Sequence, residues 1–154
     1  MNKGWMWIKR IVITILIVIP ILIITPFIAF PIANNIKATV VTNEMKKLPL
    51  PERTEFIEIT RGCGNTGGTG NHTEILISML VKSDLSQEKI AEFYKDYSPY
   101  IDVIEVDIGR TSTFSMQLLG QEFRKLQNII DYKGYYIVQK TEDAISSEFD
   151  LRGH

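Results

Sequence analysis

A long apolar segment without a single charged side chain, Ile11 to Ala33, limits most strongly what this chain can fold into. At a rise of 1.5 Å per residue, a helix of this length covers the hydrocarbon core of a bilayer, which is about 30 Å thick. The remaining part of the chain, about 110 residues, is too small to enclose a helix that is apolar on every face. The segment therefore predicts one membrane-spanning helix.

A cleaved signal peptide is the main alternative for an apolar segment near the start of a chain. The apolar core of a signal peptide is about half as long as this segment, and cleavage requires small residues at positions −3 and −1. Around Ala33, Pro31 occupies position −3. We therefore expect an uncleaved anchor. Since the span has no ionisable residue, ion or proton transport by this chain alone is not expected.

Charges next to the span predict its orientation. Lys9 and Arg10 directly precede the apolar core, and Trp5 and Trp7 lie at the depth of the membrane interface. Basic residues are retained on the cytoplasmic side, so we expect the N-terminus inside and the remainder outside the cell membrane, although the far flank also carries lysines. The predicted layout has four parts: a short cytoplasmic N-terminus (1–10), a transmembrane helix (11–33), a helical stalk and Pro-rich linker (34–51), and an extracytoplasmic domain (52–154).

Overall composition narrows the possible partners. The net charge is −1 and the sequence pI is about 6.1, which lacks the basic excess that phosphate contacts require, so nucleic acid is not expected as a partner. The expected partners are the lipid bilayer, through Ile11 to Ala33, and an envelope or membrane protein. Cys63 is the only cysteine, so no disulfide can form within the chain.

Periodicity in the exported part alternates between two patterns. Period-2 patterns predict strands at Thr54 to Thr60, with Ile57 and Ile59 on one face, and at Thr73 to Val81, which is apolar on both faces and therefore central. Helical spacing follows Asp84, which forms a capping pair with Gln87. Further segments are a strand at Ile104 to Ile108, an ambiguous helix or strand within Phe114 to Ile130, a strand at Tyr135 to Thr141 and a short edge at Phe149 to Leu151.

These elements predict an α+β fold, in which the N-terminal transmembrane helix is followed by a small antiparallel or mixed sheet with one or two covering helices. The topology that fits best is ferredoxin-like with an extra N-terminal strand.

A glycine-rich stretch between the first two predicted strands contains a G-x-G-x-x-G string, Gly62 to Gly67. A dinucleotide-binding loop must lead into a helix, whose N-terminal amides hold the pyrophosphate. Because a strand is predicted after this stretch, we interpret it as the loop of a β-hairpin, and no cofactor is expected.

Candidate site residues lie in this loop: Cys63, Asn65, Asn71 and His72. A thiol beside an imidazole is the minimal pair for nucleophilic catalysis, because the base generates the thiolate. No residue is well placed to orient the imidazole, so no catalytic residue is assigned and the four residues are candidates for binding. One cysteine and two histidines, the second being His154, do not make a usual four-ligand metal site.

Two short segments carry a resemblance: Lys82-Ser83-Asp84-Leu85-Ser86, and the ending Phe149 to His154. With these segments the chain resembles uncharacterised small single-pass membrane proteins of Gram-positive bacteria. The resemblance implies an anchor followed by a domain, and it supplies no catalytic residues.

Three functions are compatible with the sequence. The first is an interaction module of the cell envelope, which binds through its sheet or its glycine-rich loop. The second is a hydrolase-type enzyme that uses Cys63 and His72. The third is a sensor or an accessory subunit of a membrane complex. The absence of a complete catalytic constellation favours the first.

Overall fold

One continuous helix, α1 (Lys3–Lys47), forms the N-terminal part of the protein. The computed structural model describes residues 3–68, 70–107 and 111–153. Pro20, Pro26 and Pro31 lie inside α1, and its most apolar part is fully exposed. By length and composition, α1 is able to cross a membrane. It ends directly before Leu48, where prolines alternating with leucines prevent further helical hydrogen bonding.

The far end of α1 belongs to the folded domain. Ala38, Val41 and Met45 are buried, and their spacing of three and four residues places them on one side of the helix. This side packs against the sheet, where it contributes to a continuous apolar cluster. The segment expected to be a stalk thus has one side buried in the domain.

A four-stranded antiparallel sheet forms the centre of the domain, in agreement with the expected α+β class. The strand order is β1-β2-β4-β3, so β2 is central, as its two apolar faces predicted. The strands are β1 (Thr54–Gly64), β2 (Glu74–Ser83), β3 (Ile101–Glu105) and β4 (Tyr135–Asp143).

Helical segments cover both faces of this sheet. On one face, α1 and α2 (Gln87–Lys95) enclose the first core. On the other face, α3 (Phe114–Leu118) and a 3-10 turn (Arg124–Asn128) enclose the second core. Alternate residues of β2 contribute to the two cores, as the pleat of a strand requires: Ile75, Ile77, Met79 and Val81 to the first, Leu76 and Leu80 to the second.

The topology differs from the expected ferredoxin-like arrangement with an added strand. Helix α2 connects β2 with β3, and β4 lies between these two strands in the sheet. This arrangement is the split β-α-β motif of the ferredoxin-like fold. However, β1 is not an addition, because it occupies the fourth position of the sheet. The second long covering helix is α1, which precedes β1 instead of preceding a last strand.

The structure corrects three local expectations and decides the region that the sequence left open between helix and strand. The structure has β3 starting at Ile101, and Ile108 lies outside the described residues. The N-cap of α2 is Ser86 and not Asp84. In the ambiguous region the structure contains α3 and a 3-10 turn and no strand at Phe114 to Leu118. No edge strand forms at 149–151, because Phe149 packs on α1 and residues 151–153 form a 3-10 turn.

A register irregularity in β1 explains one further difference. The pairing with β2 shifts between Phe56 and Glu58, and Ile57 falls within the shift. Ile57 therefore packs on the second core while Ile59 packs on the first, although the sequence placed both on one face. An extra residue in one strand of a pair reverses the side on which the following side chains project.

Candidate functional site

The glycine-rich loop closes an antiparallel hairpin between β1 and β2, as expected. Asn65 holds the loop together: its Oδ1 accepts hydrogen bonds from the backbone N–H groups of Gly67 (3.1 Å) and Gly68 (2.8 Å), and its Nδ2 donates to the carbonyl of Gly70 (2.7 Å). Asparagine commonly organises turns in this way. Since the loop leads into a strand, it does not provide the helix N-terminus on which a dinucleotide-binding loop depends.

Two glycines of the G-x-G-x-x-G string have a packing role. Gly62 and Gly64 lie within β1 on the side of the second core, where Leu119 approaches the strand closely. A Cβ on Gly62 would collide with Gln121 Nε2 and lie 2.8 Å from Leu119 Cδ1, and one on Gly64 would lie 2.7 Å from Leu119 Cδ2. These distances are shorter than an ordinary carbon contact. The glycines allow the turn after α3 to pack on the strand.

The structure does not bring Cys63 and His72 together into a nucleophile and base. Cys63 packs against the first core. The next residue, Gly64, pairs with Glu74 of β2, and both of these residues face the opposite side of the sheet. The imidazole Nε2 of His72 lies 3.4 Å from Glu74 Oε2, and this carboxylate also accepts a hydrogen bond from Thr66.

Burial raises the pKa of the Cys63 thiol, which reduces its reactivity at neutral pH. Asn71, the fourth candidate of the loop, is exposed at its far end. Among residues 3–68, 70–107 and 111–153, no group of three His, Cys, Asp or Glu side chains could hold a metal ion.

A buried polar cluster fastens the C-terminal segment (residues 144–153) to α1. Asn34 Nδ2 donates to Asp150 Oδ2 (2.8 Å) and to the carbonyl of Ser146 (3.0 Å). Arg152 donates twice to the Asp150 carboxylate, through Nε (2.8 Å) and Nη2 (2.6 Å). The Arg152 hydrogen bonds, with a further contribution from Asn34, lower the pKa of Asp150. Charge-assisted bonds of this kind are among the stronger polar contacts in proteins.

Aromatic contacts extend this attachment toward the apolar end of α1. The ring of Phe149 stacks on Phe30 (centroids 5.4 Å apart) and meets Phe27 edge-on (5.5 Å). Arg152 also reaches α1, where Nη1 donates to Asn35 Oδ1 (2.8 Å). No local sequence pattern predicts this attachment, because it joins residues more than 100 positions apart. A polar pair, Asn34-Asn35, directly after the apolar run is its visible signal.

A groove of about 520 Å³, which we name the edge groove, lies beside β1 on the side of the second core. Because β1 is an outer strand of the sheet, one row of its backbone groups faces away from β2. The groove is lined by Glu58, Ile59, Thr60 and Arg61 of β1 and by Leu119, Gly120, Gln121, Glu122, Arg124 and Gln127.

Contacts at the two ends of β1 delimit the edge groove. At one end, Lys125 Nζ donates to the carbonyl of Ile57 (2.8 Å) and its backbone N–H donates to Glu58 Oε2 (3.0 Å). At the other end, the N–H of Asn65 donates to the carbonyl of Arg152 (3.1 Å). Lys125 thus occupies the outer edge of β1 near its start, and the C-terminal segment occupies it just past its end. The edge groove lies between these two contacts.

Gln121 lies at the inner wall of the edge groove and is, with Ser78 and Tyr94, one of three buried side chains in the described residues whose polar atoms have no hydrogen-bond partner. Its side chain is 6% exposed, and neither Oε1 nor Nε2 has a hydrogen-bond partner in the described part of the chain. Its backbone is fixed, since its N–H donates to the carbonyl of Met116 (2.8 Å). A side-chain amide presents one acceptor and two donors, which complement the N–H and C=O groups of a polypeptide backbone.

Similarity to other proteins supplies no functional information for this chain. Comparison with known protein families, with curated proteins and with solved structures finds nothing that matches this chain.

Proposed function

We propose that this protein is a single-pass, membrane-anchored interaction module of the cell envelope, and that it binds an extended polypeptide segment of an envelope or membrane protein in the edge groove. The N-terminus lies inside and the domain lies outside the cell membrane. The bound segment pairs with the free edge of β1, and Gln121 adds hydrogen bonds to its backbone. Addition of a strand to an exposed sheet edge is a common mode of peptide recognition.

The buried amide of Gln121 is the observation that carries this proposal. A buried polar group without a partner costs about 1–3 kcal/mol. An apolar side chain of similar volume at this position would avoid that cost. A bound backbone removes the cost as well, because the Gln121 side chain, enclosed over Gly62 in the free protein, then turns into the edge groove and meets an N–H and a C=O group. Polar side chains that reduce the stability of the free protein are typical of sites that act on a ligand.

Anchoring is supported by the continuity of α1. Its exposed apolar part and its buried face belong to one helix, so no flexible linker separates the span from the domain. A bound partner segment is thereby held at a fixed height above the membrane surface. This arrangement suits an interaction between two proteins of the same membrane better than capture of a diffusing substrate.

The test compares Gln121→Leu with Gln117→Leu in the full chain, reconstituted in lipid nanodiscs. Gln117 is an exposed residue of α3 outside the edge groove, so it controls for the chemistry of the change. The probe is a phage-displayed library of random octapeptides, selected on the unmodified protein. We expect the selected peptides to bind Gln121→Leu about tenfold more weakly, which corresponds to the loss of about 1.4 kcal/mol, and to bind Gln117→Leu unchanged.

A stability measurement on the same variants gives an independent result. Without peptide, Gln121→Leu should raise the free energy of unfolding by about 1 kcal/mol, because it removes an unpaired buried amide. The proposal fails if selection yields no peptide, or if both variants bind equally. It also fails if Gln121→Leu lowers stability by more than about 1 kcal/mol, because the amide would then make hydrogen bonds in the free protein.

A further inference from the structure

We infer that the membrane-facing end of the domain lies in the headgroup region of the bilayer, through a surface that we name the base: Phe114, Leu118, Phe149 and Leu151. This inference rests on the proposed anchoring and adds a second contact with lipid, made by the domain itself. Its partner is the bilayer that α1 crosses.

The base lies next to the part of α1 that leaves the membrane. Phe149 packs on Phe27 and Phe30 of α1, and Leu151 lies between Asp150 and Arg152, whose side chains are bonded to α1 residues. These contacts are local and direct. Phe149 is therefore held at the depth of Phe27 and Phe30, and residues 150–152 are held beside Pro31 to Asn35, about one to two helical turns further from the centre of the span.

Phe114 and Leu118 extend the base beyond the C-terminal segment. The carbonyl of Arg152 accepts a hydrogen bond from Asn65, which begins the glycine-rich loop. At Gly68 of this loop, a Cβ would lie 3.4 Å from Leu118 Cδ1 and 3.7 Å from Phe114 Cζ. The loop thus connects α3 with the C-terminal segment at the end of the sheet that is nearest the span.

The length of the free apolar helix fixes the depth of this region. Arg10 is the last basic residue before the span, and Phe27 is the first residue of α1 that contacts the C-terminal segment. About 16 residues of α1 lie between them. They correspond to about 24 Å of helix. A hydrocarbon core of about 30 Å is thicker than that. Phe27 and Phe30, together with the Phe149 ring between them, must then lie within the outer edge of the bilayer.

The exposed side chains of the base suit this position. Leu151 is 70% exposed and Phe114 is 65% exposed, although neither has an evident reason to face water. Apolar and aromatic side chains beside a membrane anchor insert by about 5–10 Å into the boundary between headgroups and acyl chains. Charges in this region are mixed, with Asp143 and Glu148 beside Lys37 and Arg152, so we attribute the attraction to the apolar side chains.

The experiment uses tryptophan fluorescence in the full chain, reconstituted in phosphatidylcholine vesicles whose acyl chains carry bromine near the headgroup end. Bromine quenches tryptophan at short range. The native Trp5 and Trp7 report on the anchor alone. In a chain with both replaced by phenylalanine, one tryptophan is then introduced by Leu151→Trp, by Phe114→Trp, or by the control Ile130→Trp. Ile130 is 97% exposed and precedes Asp131, beside the Ser83 end of β2, which is the end far from the span.

We expect Leu151→Trp and Phe114→Trp to be quenched about threefold or more relative to Ile130→Trp, because only the base reaches the headgroup boundary. Quenching of Trp5 and Trp7 together with equal, weak quenching of all three introduced tryptophans overturns the inference and leaves the anchor intact. Absence of quenching at Trp5 and Trp7 overturns the anchor and the inference together. If only one of the two introduced tryptophans is quenched, the unquenched position does not reach the bilayer, and the base as defined here is wrong at that position.

Discussion

Replacement of Val41 by alanine tests whether the end of α1 belongs to the folded domain. Val41 and Val40 are neighbours on the same helix and have the same side chain, but Val41 is 3% exposed and Val40 is 50% exposed. A helix that served only as a stalk would tolerate both changes equally. A helix that packs on the sheet distinguishes them.

The structure sets the expected size of the difference. Val41→Ala removes two carbon atoms from the first core, at about 0.8 kcal/mol each. The cavity left behind adds up to about 1 kcal/mol, to the extent that the sheet cannot close over it. Alanine raises helix propensity by about 0.5 kcal/mol at both positions, so this gain cancels in the comparison. We expect Val41→Ala to lower the free energy of unfolding by about 1.5–2.5 kcal/mol more than Val40→Ala does.

The free energy of unfolding can be measured by pulse proteolysis over a urea series, with the full chain in a mild detergent. Proteolysis reports on the domain without a contribution from the detergent-covered part of α1. A difference below about 0.5 kcal/mol between the two variants, the size of effect typical of surface positions, would refute the packing of α1 on the sheet. The domain would then have to fold from residue 52 onward.

Two further predictions concern the attachment of the C-terminal segment and the free thiol. Hydrogen bonds from Arg152 lower the pKa of Asp150 in the folded state. The stabilisation that the Asp150 carboxylate provides is therefore complete above its unfolded pKa of about 3.9, and it is lost as the pH falls through the lower, folded pKa. We therefore expect the unmodified protein to lose stability more steeply than Asp150→Asn over this acid range, as measured by unfolding at a series of pH values; parallel curves would contradict the role of the carboxylate. Since burial raises the pKa of Cys63, iodoacetamide should alkylate it in the folded protein at least about tenfold more slowly than in urea at neutral pH; alkylation at the rate of the unfolded chain would show that the thiol is accessible and ionised.

Sequence patterns predicted the parts of the fold that depend on local spacing. The period-2 segments located β1, β2 and β4, and apolar residues on both faces placed β2 in the centre of the sheet. The alternating prolines located the end of α1. In each case the signal is a property of a few consecutive residues, such as side-chain alternation or a missing backbone donor.

The remaining parts depend on contacts between distant segments, to which local patterns are insensitive. The apolar residues around Val41 have the same helical spacing whether the helix is an exposed amphipathic stalk or packs in the core, so the sequence did not distinguish the two cases. The bulge that separates Ile57 from Ile59 follows from pairing with β2. Gln121 resembles any polar residue in a loop, and only its burial and its missing partner distinguish it.

The path of the chain gives the proposed binding a direction relative to the membrane. With α1 crossing the membrane as proposed, the helix runs outward to Lys47, and β1 returns, since Gly64 at its end contacts the C-terminal segment that is fastened to Asn34. A segment that pairs antiparallel with β1 therefore runs outward from the membrane. A protein anchored with its N-terminus inside emerges in this same direction. The edge groove begins near Arg61, about 10 Å of extended chain beyond Gly64. A partner in the same membrane would thus reach the edge groove with only the first few extended residues that follow its own span.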